Sequence, residues 1–241
     1  MGFIFLEVTT LKLLYEGKAK KVWEIDAEKV LIEFKDDVTA FDGLKKDQYR
    51  GKGLLNKKIS DYFFKILEKN AIKTHYIRSV DDRNFEAFRT TVMPLETVVR
   101  NYAAGSFCKR YGIEKGKKLS KPLVEFMIKS DELHDPLICE DTILLLDLAT
   151  KEELEYMKRT ALKVNEILSS ELEKAKLILV DFKLEFGKNS NGEILLIDEI
   201  TPDTCRFWDS ETFESLDKDV YREDKADLLS TYEEVARRLE L

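Results

Sequence analysis

Apolar and polar positions change period several times along the chain, and each change marks an element. Lys20–Asp26 and Lys29–Phe34 are β-rich runs joined by Asp26-Ala27-Glu28, which predicts a hairpin. From Leu54 the repeat becomes helical: Leu55, Ile59, Tyr62, Phe63, Ile66 and Leu67 share one face of a helix that stops near Asn70. Residues 72–100 return to short β-like runs (Thr74–Val80, Phe85–Val92, Val98-Val99), with Pro94 read as a break. Gly112–Leu119 reads as a charged loop punctuated by glycine. Glu152–Ala175 is an amphipathic helix, with Leu154, Met157, Ala161, Val164, Ile167, Leu168 and Leu172 on its apolar stripe. Two strands follow, Leu177–Phe186 and Glu193–Ile200, across the turn-rich 187–192, and a last helix covers about 225–239. No repeat or linker interrupts the chain, so any division is a shallow one between a β-rich front and a helical back.

Composition narrows the class. The 241 residues include 44% hydrophobic ones, enough for a substantial core. Lys and Glu are interspersed and the net charge is −7, so a nucleic-acid partner is not expected. No apolar run approaches the ~20 residues of a membrane span, and the MGFIFL start lacks a basic leader. Three cysteines, Cys108, Cys139 and Cys205, lie far apart in no metal-binding spacing, which suits a reducing cytoplasm and small buried thiols. Neither His75 nor His134 has a nucleophile pattern beside it, so both imidazoles are read as structural. Gln48 is the only glutamine among many Lys and Glu, a bias of proteins that work hot.

The candidate chemistry concentrates near residues 177–206. Alternation in Val180–Phe186 puts Val180, Phe182, Leu184 and Phe186 on one face and Asp181, Lys183 and Glu185 on the other. A surface edge strand shows the same alternation. The partner strand, however, leaves Ile194–Ile197 at Asp198-Glu199 and runs into Thr201-Pro202-Asp203-Thr204-Cys205-Arg206. Paired carboxylates on adjacent strands suit Mg²⁺, which takes one or two of them plus phosphate oxygens. With a Lys between them and an Arg nearby, they read as a phosphate-transfer site.

Three further clusters are weaker alone. Tyr15-Glu16-Gly17-Lys18-Ala19-Lys20 can bring backbone N–H groups and ammonium heads to phosphates, without the spacing of a P-loop. Val98–Ser106 ends a β-run in Arg100 before Gly105-Ser106, which suits either an anion site or a salt-bridged Arg in a tight turn. Phe34–Gly43 holds an Asp42-Gly43 turn whose spacing identifies no reaction.

In this order the stretches YEGKAKKVW (15–23), FKDDVTAFDG (34–43), GKGLLNKKIS (51–60), VVRNYAAGS (98–106), LVDFKLEFG (179–187) and DEITPDTCRFWD (198–209) resemble the SAICAR synthetase family of purine biosynthesis. The resemblance runs from about Leu14 to the C-terminus and leaves residues 1–12 outside. It implies an α+β, two-lobed fold like that of ATP-grasp enzymes and protein kinases. Residues 1–95 would form a β-rich ATP-binding lobe, and residues 96–241 an α+β lobe carrying the metal, CAIR and aspartate sites. It also implies a ligase that joins carboxyaminoimidazole ribonucleotide (CAIR) to L-aspartate with ATP, giving the succinocarboxamide, ADP and phosphate through an acyl phosphate, in a likeness that carries a homodimer with it.

By the same resemblance, Lys18 and Lys20 hold ATP phosphates, Val92, Met93 and Leu95 belong to the hinge that meets adenine, and Lys183 lies near ribose and phosphates. Glu185 and Asp198 hold Mg²⁺. Arg100, Ser106 and Arg206 bind the CAIR 5′-phosphate, while Asp42, Lys129 and Asp203 line the transfer site. Two other classes stay open on the residues alone. A kinase-like phosphotransferase would need an acceptor-orienting Asp followed by a metal-binding Asn in the HRDxxxxN arrangement, which is absent. A nucleotide-binding module without catalysis would have no use for all of Lys18, Lys183, Glu185, Asp198 and Arg206.

Overall fold

The computed structural model describes residues 11–40 and 43–241. The strands in chain order are β1 (Lys12–Glu16), β2 (Lys20–Glu24), β3 (Lys29–Phe34), β4 (Asp37–Ala40) and β5 (Lys45–Gln48), followed by helix α1 (Lys52–Lys69). Next come β6 (Tyr76–Ser79), β7 (Asn84–Phe88), β8 (Thr91–Tyr102), α2 (Gly105–Tyr111), β9 (Lys118–Ile128), β10 (Leu137–Ile138) and α3 (Glu140–Leu145). The chain ends with α4 (Lys151–Lys174), β11 (Leu177–Lys188), β12 (Ile194–Ile197), β13 (Cys205–Asp209), α5 (Asp219–Arg222) and α6 (Leu228–Arg238).

These make an α+β fold on two main antiparallel sheets. The first has the order β1-β2-β3-β7-β6; the second runs β10-β9-β8-β11-β12, with β13 also on β11. The predicted hairpin is β2–β3, in register from Lys20↔Phe34 to Glu24↔Val30. The two long helices lie where their apolar periods placed them. α4 begins one residue before the stripe suggested because Thr150 caps it: its hydroxyl accepts from Glu153 N at 3.3 Å while the Glu153 carboxylate accepts from Thr150 N at 3.0 Å.

One apolar core joins both sheets. Phe34, Phe63 and Phe85 from the first region pack in the same cluster as Leu184, Phe186 and Phe207 from the second. This continuity makes the interior that fixes β11, the strand that carries the site.

Several sequence expectations are corrected. Pro94 does not break a strand; it sits inside β8, where a bulge sets residues 93–95 against Phe186 alone, so no ladder bond needs its missing N–H. The strand expected at Glu193–Ile200 is only Ile194–Ile197, because Asp198 turns the chain with φ 72. The loop read to Leu119 gives way at Lys118 to β9. Of the three cysteines only Cys205 is buried; Cys139 is exposed and Cys108 intermediate. Asp42 and residues 1–10 lie outside the described residues.

Candidate active site

β11 lies at the centre of the second sheet, and its alternation becomes the wall of a cleft. Asp181, Lys183 and Glu185 face one way while Val180, Phe182, Leu184 and Phe186 are buried on the other. The charged face is not solvent-exposed: Asp181 is 3% and Glu185 5% accessible. That removes the edge-strand reading, since charges are buried at such cost only with partners. A cavity of about 380 Å³ runs along this face, with Lys18, Glu96, Arg100, Ser106, Asp181, Lys183, Asp203 and Arg206 among its lining residues.

At one end, lysines and carboxylates interleave. Lys183 Nζ lies 2.6 Å from Glu185, 2.9 Å from Glu96 and 3.6 Å from Asp198. Lys129 Nζ meets Glu185 Oε1 at 2.8 Å. Lys20 pairs with Asp198 and lies 3.0 Å from Glu199. Burial opposes the Lys183 ammonium, but Glu185, Asp198 and Glu96 hold it charged, well above the ordinary lysine value. Burial likewise opposes the Asp198 carboxylate, and Lys20 and Lys183 nevertheless hold it far below its usual range. Glu199, with weaker support, is pushed up by burial. Asp198 has left-handed backbone, a costly conformation for a residue with a Cβ, and it aims the carboxylate at the two lysines.

At the other end stand the arginines. Arg100 donates from Nε to Glu125 at 2.6 Å, from Nη1 to Asp181 at 2.9 Å and from Nη2 to Ser106 at 3.4 Å. Arg206 donates from Nε to Asp219 at 2.7 Å and from Nη1 to Asp181 at 3.0 Å. Burial again opposes the charge on Arg206, and Asp181 and Asp219 raise its pKa above the ordinary value.

Between the ends lies Asp203, in a turn organised by threonine hydroxyls: Asp203 N donates to Thr201 Oγ1 and Thr201 N to Thr204 Oγ1, both at 3.2 Å. Its carboxylate pairs with Lys52, accepts from Asn56 at 2.6 Å and from Tyr232 at 2.9 Å, and lies 3.7 Å from Lys218. Lys52 and Asn56 stand one helical turn apart at the start of α1.

The sequence-derived residues thus fall into place unevenly. Lys183, Glu185, Asp198, Lys129 and Lys20 form one linked group, and Arg100, Ser106 and Arg206 another. Lys18 reaches across to Asp131 at 2.6 Å, from the glycine turn to the loop after β9. Val92 is half-exposed, Met93 and Leu95 are buried in the core, and none of the three lines the cavity. Sequence reasoning gave no role to Glu125, Asp219, Lys52, Asn56, Tyr232 or Lys218. Only the i, i+4 pair Lys52/Asn56 carried a local signal. Among the described residues no cluster of three or more His, Cys, Asp or Glu forms a ready metal site.

Two arginines bridged by Asp181 at one end of the cleft and lysines interleaved with acids at the other make a strongly charged, largely buried site of the kind that suits anionic ligands. Comparison with known proteins gives the family. The SAICAR synthetase family profile matches residues 13–239, and the chain belongs to this family. It is 56% identical over 226 residues to phosphoribosylaminoimidazole-succinocarboxamide synthase of Pyrococcus abyssi, covering 94% of this chain and 96% of that protein. A solved SAICAR synthetase in complex with ADP superposes with a TM-score of 0.91 at 52% identity, covering 93% of this chain and 96% of that one. The enzyme from Ehrlichia chaffeensis gives 0.92 at 42% identity, covering 95% and 98%.

Proposed function

We propose that the chain condenses CAIR with L-aspartate at the expense of ATP, giving the succinocarboxamide ribonucleotide, ADP and phosphate. The observation that carries this reading is that β11 presents Asp181, flanked by Arg100 and Arg206, on the same face as Lys183 and Glu185. A ribonucleotide phosphate suits the first end. The second suits the phosphates of ATP, and the ADP bound by the 52%-identical relative supports a nucleotide there.

A carboxylate is a poor electrophile, so the CAIR carboxylate first takes the γ-phosphoryl group of ATP as an acyl phosphate. The aspartate amine then attacks the activated carbonyl and phosphate departs. The chain's own work is positioning and charge neutralisation. In this reading Lys18, Lys20 and Lys183 stand by the ATP phosphates, and Val92, Met93 and Leu95 give main-chain groups to adenine. Arg100, Ser106 and Arg206 take the CAIR phosphate, while Asp42, Lys129 and Asp203 border the transfer site. The first sheet, made wholly of residues within 12–88, supports an ATP-binding lobe ending near residue 95.

The donors fit Mg²⁺. Glu185 and Asp198 already converge on one cation, the Lys183 ammonium, and Mg²⁺ asks for one or two such carboxylates while leaving positions for phosphate oxygens and water. Bound there, it would neutralise charge on the transferring phosphoryl group. The exposed run Leu144, Leu145 and Leu146 supports a homodimer as the assembly, and the free cysteines support a cytoplasmic setting. Among the described residues no helix is long and apolar enough to cross a membrane.

The test is ADP release with ATP, Mg²⁺, CAIR and L-aspartate, each omitted in turn, with the imidazole product followed by ultraviolet absorbance. Release should require all four. ATP turnover that ignores CAIR would replace this reading with a phosphotransferase acting on another metabolite.

A further inference from the structure

Across three neighbouring strands of the second sheet, Arg100, Asp181 and Arg206 form one row: Asp181 of β11 is the register partner of Arg100 on β8 and of Arg206 on β13. The central carboxylate divides itself between the two. Its Oδ2 accepts from Arg100 Nη1 at 2.9 Å, and Arg206 Nη1 lies 3.0 Å from Oδ1 and 3.1 Å from Oδ2. Each guanidinium is turned by a second acid, Arg100 by Glu125 and Arg206 by Asp219. Nε and Nη1 are engaged in this way, and each Nη2 makes only a long contact, that of Arg206 being 3.4 Å to Asp219 Oδ1. Both reach the same place: Arg100 Nη2 lies 3.4 Å from Ser106 Oγ, and a Cβ built on Gly105 would stand 2.6 Å from Arg206 Nη2.

We propose that Asp181 is a positioning residue that fixes the spacing of the two arginines, and that β11 thereby sets the distance from the substrate's phosphate to its reacting carboxylate. The proposal rests on the ligase reading given above. Asp181 and Glu185 share a face four residues apart on one strand, so about 13 Å of extended backbone separates the arginine row from the lysine and carboxylate end. That strand is held on both sides and backed by the core, which makes the interval rigid. A ribonucleotide anchored by its phosphate is delivered with its carboxylate at a set point; a riboside enters without that reference. The phosphate should therefore contribute to kcat as well as to KM, because a remote anchor that orients the reacting group acts on the transition state.

Asp181→Asn keeps the size and one acceptor but places an NH₂ against a guanidinium donor, so the row opens without leaving a cavity. We expect kcat/KM for CAIR to fall on the order of 100-fold, with a loss in kcat included, while the KM for ATP stays within about twofold. The rate with the CAIR riboside should fall far less, so the ribonucleotide-to-riboside preference collapses. Ribose 5-phosphate, tested as a competitive inhibitor against CAIR, should weaken by on the order of tenfold, and Asp181→Glu should restore part of both.

Parallel losses with ribonucleotide, riboside and ATP would make Asp181 merely structural and overturn the proposal, as would unchanged preference. If Asp181→Asn does not fold, Asp219→Asn serves, since it loosens Arg206, and Arg222 with it, while leaving the Arg100–Asp181 pair in place: a reduced preference supports the proposal and an unchanged one overturns it. Wild-type dependence on all four reactants is measured alongside. Failure there removes the ligase reading itself, whereas failure confined to the variants removes only the role of Asp181.

Discussion

The phenol of Tyr232 in the last helix donates a 2.9 Å hydrogen bond to the Asp203 carboxylate, tying α6 to the turn between β12 and β13. Both groups are buried, and Asp203 has further partners in Lys52 and Asn56 at the start of α1. Three distant parts of the chain therefore meet at one carboxylate. Tyr232→Phe removes one of its donors while preserving the packing of the ring. It should cost about 1–3 kcal/mol of stability, read as a lower urea midpoint with unchanged slope.

The same carboxylate sets an acid limit. Burial alone would raise the Asp203 pKa, but Lys52 and Lys218 pull it well below the ordinary aspartate value of 3.8. A depressed acid contributes stability that is complete above its unfolded value and is lost as pH falls through that value toward the folded one. Stability should thus decline below about pH 4. Asp203→Asn should be less stable at neutral pH and lose less between about pH 5 and 3; an unchanged acid limb would place the sensitivity elsewhere.

Glu185→Gln and Asp198→Asn each take one carboxylate from the pair that converges on Lys183. Turnover should fall by roughly 100-fold or more and the Mg²⁺ requirement should rise. Calorimetric binding of ADP with and without Mg²⁺ gives a second readout. In the variants the metal should no longer strengthen binding; undiminished synergy would take both acids out of the metal site.

Arg100→Ala should weaken CAIR by ~2 to 4 kcal/mol, because the phosphate loses a guanidinium partner while Asp181 keeps only Arg206 and Glu125 only Arg110. Affinity for ATP, at the far end of the cleft, should hold. Equal losses for both substrates would mean that the phosphate pocket lies elsewhere.

Gly105→Ala probes the same pocket from its backbone. Gly105 has φ 52, and the added methyl would stand 2.6 Å from Arg206 Nη2 and 2.8 Å from its Cζ. The left-handed backbone costs about 1 kcal/mol in itself; the collision moves the guanidinium. KM for CAIR should rise about tenfold with a small change in thermal midpoint, and a variant with normal KM would show that Arg206 adapts.

The periodic elements were legible because their burial is local. The stripes Leu55–Leu67 and Leu154–Leu172 needed no knowledge of their partners to be read as helices, and the alternation along Val180–Phe186 announced both faces of β11. β9 was half hidden because Lys118, Lys121 and Pro122 dilute its exposed half. Pro94 misled because the bulge that accommodates it is a property of two strands, not one. In the cleft, residues contiguous with a motif were named from the sequence, such as Lys183 and Asp198. Their braces were not: Glu125, Asp219 and Tyr232 reach Arg100, Arg206 and Asp203 across 25, 13 and 29 residues, and an acid or tyrosine in a charged sequence carries no mark of so distant a partner.

The two-residue stride of β11 also constrains how this enzyme can change over evolutionary time. Inserting or deleting one residue between Asp181 and Glu185 would exchange the two faces beyond that point, driving Glu185 into the apolar interior and Phe186 into the cleft. Length changes in this segment are tolerable only in pairs, and even those would shift one set of charges past the other by about 7 Å. Substitution is open to the strand; slippage is not.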